Sequence, residues 1–86
     1  MGTFDKFIVK LNKIPKDVTF KELHGFLTNS RVNLSFRVRG SHFIYYIMEN
    51  DVVKDLLVVP NHGIVKTVYI KKVVQLLKEW GIENEE

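Results

Sequence analysis

Eighty-six residues with 45% hydrophobic and 27% charged side chains make one small domain, which buries only roughly 60–65% of its extended surface. Cysteine is absent, so disulfides and thiolate metal sites are excluded and a reducing, intracellular setting is expected. The net charge of +3 is uneven: residues 1–48 carry eight Lys and Arg against three acids, while residues 49–86 carry five against seven. The first half therefore suits an anionic partner, since local charge attracts phosphates. No apolar run is long enough to span a membrane, and the basic N-terminus has no apolar signal region.

Residues 7–12, FIVKLN, alternate and predict a strand with Phe7, Val9 and Leu11 on one side, ended by Pro15. Thr19 and Glu22 form a capping box, with Val18 and Leu23 at the staple positions. Leu23, Phe26 and Leu27 then give a helix an apolar stripe. Residues 31–39 alternate, with Val32, Leu34, Phe36 and Val38 to one face, and predict a second strand. Gly40 turns the chain into a third strand, His42 to Met48. Asn50 or Asp51 is expected to cap a short helix with Val53, Leu56 and Leu57 inward, broken at residues 60–63. Ile64 to Lys72 reads as a fourth strand. Val73, Leu76, Leu77 and Trp80 give a last helix, which Gly81 stops.

This order predicts an α+β, ferredoxin-like βαββαβ domain: a four-stranded antiparallel sheet with two helices on one face, plus a C-terminal helix. Residues 7–72 form the core, 73–81 the C-terminal helix and 82–86 an acidic tail with frayed ends. Such a minimal yet complete core suggests one module excised from a larger protein or complex.

Two stretches carry a family resemblance. VKLNKIPKDVTFKELHGFL, Val9 to Leu27, resembles the first strand, loop and helix of an RNA recognition motif. RGSHFIYY, Arg39 to Tyr46, half-matches that family's aromatic signature strand at Arg39, Gly40, Phe43, Ile44 and Tyr46. The resemblance implies single-stranded RNA bound on the open sheet face, without catalysis or cofactor. Lys10 and Ser41 stand where stacking rings are usual, and the strand 2–3 loop is shorter than in the family.

Two turn lengths lead to different open faces. A three-residue turn, 39–41, turns Phe43 and Tyr45 outward, and this register is favoured by the resemblance. The candidate RNA-binding set is then Lys10, Asn12, Asn33, Arg37, Arg39, Phe43, Tyr45, Tyr69 and Lys71: rings to stack, cations for phosphates, amides for base edges. A two-residue turn, 39–40, turns Ile44, Tyr46 and Met48 outward and suits a protein instead. The rival reading is accordingly a protein-interaction or homodimerising domain using Ile47, Leu76, Leu77 and Trp80.

No enzyme motif is legible: there is no nucleophile elbow, phosphate-cradling glycine loop or paired carboxylates. Gly40 lies between strands two and three, not after the first strand as in the acylphosphatase anion loop. His24, His42 and His62 fall on different elements without ligand spacing, so no metal site is expected.

Overall fold

A computed structural model describes residues 3–82. Its elements run α1 (Thr3–Asn12), α2 (Phe20–Leu27), β1 (Ser35–Arg39), β2 (His42–Glu49), β3 (Val52–Pro60) and α3 (Thr67–Glu79). The sheet has three antiparallel strands in the order β1-β2-β3. The class is α+β, but the four-stranded βαββαβ plan is overturned, because the expected first strand and most of the expected fourth lie in helices and the expected second helix is a strand.

α1 occupies the expected first strand. Phe4, Phe7, Ile8 and Leu11 repeat at helical spacing, and Ile8 and Leu11 are buried in the core with Phe4 and Phe7 packed against it. The helix stops at Ile14, which takes a φ of +51° just before Pro15. Arg31 pairs with Asp5 at 3.6 Å and lies 4.1 Å above the Phe4 ring, fixing α1 to the segment that leads into β1.

α2 forms where the capping box places it. The Thr19 hydroxyl accepts the Glu22 amide at 3.1 Å, and the Glu22 carboxylate accepts the Thr19 amide at 3.1 Å. Thr19→Ala removes one half of this cap. It is expected to lower stability by about 0.5–2 kcal/mol in urea unfolding without changing the fold.

The β1–β2 turn uses neither expected register. Arg39 pairs with His42 and Val38 with Phe43, leaving Gly40 and Ser41 as the two-residue turn. Gly40 takes a φ of +61° while Ser41 does not take a positive φ, the φ pattern of a type II′ hairpin. The expected helix after residue 50 is instead β3. Asn50 and Asp51, with φ of +53° and +64°, make the positive-φ pair of a type I′ turn rather than a cap. A bulge at Leu56 shifts the ladder from Tyr45–Leu57 to Tyr46–Asp55.

α3 begins within the expected fourth strand. Ile70, Val73, Val74 and Leu77 make one buried stripe. A Schellman closure ends it: Ile82 donates to the Leu77 carbonyl and Gly81, at φ +66°, to that of Lys78. The three helices share one core with Tyr45, Leu57 and Val59 from the sheet. Arg37, Arg39, His42, Ile44, Tyr46 and Val58 alternate with these residues and lie on the opposite face, where Ile44 is buried and the others are exposed or half-buried. The acidic tail expected over 82–86 falls, apart from Ile82, outside the described residues.

Candidate nucleic-acid interface

The expected RNA-binding residues do not share a surface. Lys10 and Asn12 are on α1, where Lys10 pairs with Asp17 at 3.6 Å and Asn12 donates to the Ile8 carbonyl at 3.0 Å. Asn33 lies in the turn before β1 with a φ of +56°. Tyr69 and Lys71 are on α3, Tyr69 partly buried against the core. Phe43 and Tyr45 point to the helix side of the sheet, because the two-residue turn reverses the faces. Tyr45 is wholly buried and Phe43 half-buried. They belong to an aromatic cluster with Phe20, His24 and Phe36, whose ring centroids lie 4.7–6.5 Å apart. Of the expected set only Arg37 and Arg39 are on the open face.

Of the alternative set, Leu76 and Leu77 are buried in the core, and Ile47 and Trp80 pack against it. α3 therefore uses its apolar face within this domain.

Tyr45 anchors the aromatic cluster. Its hydroxyl hydrogen-bonds His24 Nδ1 at 2.9 Å, and burial pushes its phenol up to about 12 from the ordinary 10.0. Because the folded value is the higher, the stabilisation is complete below pH 10. It is lost as pH rises through 12, where the unfolded chain has already released the proton. Urea midpoints measured across that interval are expected to fall more steeply for the native protein than for Tyr45→Phe.

The open face is held by charge. Arg37 forms a bidentate pair with Asp55, both bonds 2.9 Å, and its guanidinium lies 5.4 Å from the Tyr46 ring centroid. The hydrogen bonds from Arg37 hold the Asp55 carboxyl below the usual carboxylate range, and the same bonds raise Arg37. Arg37 is thereby engaged within the sheet, and Arg39 is the face's strand arginine without an acidic partner among the described residues.

Backbone hydrogen bonds tie three segments together at the end of the sheet beside Arg39. Exposed His42 closes the hairpin opposite Arg39 on one side and Pro60 on the other. Asn61 donates its amide to the Ser41 carbonyl at 2.7 Å, so the segment carrying His62 adjoins the hairpin turn. That segment continues onto the start of α2: Phe20 donates to the Gly63 carbonyl at 3.0 Å, and Val65 to that of Val18 at 2.8 Å. A depression of about 480 Å³ results, lined by Thr19, Phe20, Lys21, His24, Asn61, His62 and Gly63. His24 and His62 thus line one depression with Lys21 on the helix side, while His42 and Arg39 lie on the other face of the adjoining hairpin end. Sequence reading missed this because it tested the histidines only for metal-ligand spacing.

Among the described residues no cluster of three His, Asp or Glu could hold a metal, and no helix is long and apolar enough to cross a membrane. No family model, curated protein or solved structure matches the chain. The resemblance to RNA recognition motifs gains no support from these comparisons.

Proposed function

We propose that this domain binds RNA at the Arg39–His42 end of its sheet and cleaves it there by general acid–base catalysis. The observation that carries the reading is the Asn61–Ser41 bond, which sets the His62 segment beside the exposed His42. Arg39, paired with His42 across the hairpin, supplies a cation for phosphate contacts, and the whole stretch from Leu23 to Met48 contains no acidic residue.

Imidazole is the side chain whose charge ordinarily changes near neutral pH, which suits it to both accepting and donating a proton. Two imidazoles supply a base and an acid but no attacking group. RNA brings its own in the ribose 2′-hydroxyl. One neutral imidazole takes the 2′-hydroxyl proton as the 2′-oxygen forms a bond to phosphorus. The bond from phosphorus to the 5′-oxygen breaks, and the protonated imidazole gives that oxygen its proton. The products are a 2′,3′-cyclic phosphate and a 5′-hydroxyl end, with His42 and His62 as the proton-transfer pair. This reading departs from the non-catalytic role implied by the resemblance.

The test is incubation of the folded protein with a single-stranded RNA and its all-DNA counterpart, with mass spectrometry of the ends. Binding to both polymers is expected to weaken between about 50 and about 200 mM salt. Cleavage is expected for RNA alone, with cyclic phosphate ends. Salt-sensitive binding without cleavage would leave a binding module, and neither binding nor cleavage would overturn the proposal.

A further inference from the structure

The two edges of the sheet are defended unequally. β3 carries a bulge at Leu56, the charged pair Lys54 and Asp55, and Pro60, all features that discourage a further strand. β1 has no bulge and no proline, its two charges, Arg37 and Arg39, project from one face only, and every one of its residues is exposed. The closing pair of a two-residue hairpin exchanges both its hydrogen bonds, so pairs Arg39–His42, Arg37–Ile44 and Ser35–Tyr46 bond across the ladder. Phe36 and Val38, in the alternate positions, direct their amides and carbonyls away from β2.

The side chains along this edge are also sorted by face. Phe36 and Val38, 42% and 54% exposed, extend an apolar strip from half-buried Phe43. Arg37 and Arg39 line the other face. A second copy is a poor occupant. Antiparallel self-pairing centred on Arg37 sets it against its own counterpart, and centring on Val38 sets Arg37 against Arg39. Like charges directly opposite destabilise a ladder. The only face-matched alternative, centred on Phe36, shortens the pairing.

We propose that β1 is a docking edge for a partner protein, which adds an extended strand of alternating apolar and acidic residues. Its apolar side chains pack on Phe36 and Val38, its carboxylates meet Arg39, and its backbone bonds to Phe36 and Val38. This edge shares Arg39 with the proposed RNA site but does not depend on RNA cleavage.

The test uses the whole protein and a fluorescent peptide of alternating Glu and Val, with a Lys and Val peptide as control, followed by anisotropy. The acidic peptide is expected to bind more than about tenfold tighter, a difference of about 1.4 kcal/mol. N-methylation of one alternate set of its amides is expected to abolish binding, and of the other set to leave it intact. Val38→Pro removes an outward-facing amide and is expected to abolish binding while circular dichroism is unchanged. If that variant fails to fold, the N-methylated peptides carry the same test on the unaltered protein. Equal binding of acidic and basic peptides, or indifference to N-methylation, would overturn the proposal. So would a dimer in light scattering without peptide that an Arg39→Glu substitution alters.

Discussion

Replacing His42 by alanine is expected to lower RNA cleavage by about 10²–10⁴-fold, the usual contribution of a positioned acid or base. His42 is exposed at the end of β2, with no buried contact to lose, so folding and urea midpoint should stay near those of the native protein. RNA affinity should fall little, because Arg39 remains to hold phosphates. His62→Ala is expected to act in the same range, and the double variant to lose little more than either alone, since members of one catalytic unit are not additive. The measurement is single-turnover cleavage of a defined RNA beside anisotropy with an uncleavable 2′-deoxy analogue. Full activity in His42→Ala would refute its assignment, whatever became of binding.

Tyr45→Ala is expected to act on the fold instead. Tyr45 is wholly buried, packs among Phe36, Phe43 and His24, and holds His24 Nδ1 at 2.9 Å. Truncating a buried aromatic costs about 3–5 kcal/mol through lost burial and the cavity left behind. A domain of this size has little more than the lower part of the usual 5–15 kcal/mol to spare. The variant should be largely unfolded or have a greatly reduced urea midpoint, readable by near-ultraviolet circular dichroism. Any loss of RNA binding in it therefore reports unfolding, and not the loss of a stacking platform. Variants of the exposed His42 and His62 separate chemistry from stability.

Local signals of the fold were legible. Thr19 with Glu22 announces a helix start because both reciprocal bonds lie within one turn of chain, and α2 forms there. Gly40 marks a turn because its φ of +61° is costly for other residues. The β2 alternation is also plain, although its facing depends on which residues make the turn.

Where signals competed, short-range pattern misled. Val53, Leu56 and Leu57 have helical spacing, yet Val52, Val53, Val58 and Val59 are β-branched, and pairing with β2 decides the matter. Asn50 and Asp51 suit a helix cap and a type I′ turn equally well. At the N-terminus the alternation of Phe7, Val9 and Leu11 hid the longer period of Phe4, Phe7, Ile8 and Leu11, which a wider window would have found. The fourth strand was expected over residues 64–72, but Ile70, Val73, Val74 and Leu77 bury together only as a helix.

The sequence by itself determined the α+β class, the cap at Thr19, the turn at Gly40 and the basic, acid-free stretch from Leu23 to Met48. Each rests on chemistry within a few residues or on composition. The number of strands, the facing of Phe43 and Tyr45 and the meeting of His42 with the His62 segment were decided by the tertiary structure. Strand pairing has a side-chain period of two, so a one-residue difference in a turn exchanges the faces of a whole strand. Residues far apart in the chain become neighbours only when that pairing is complete.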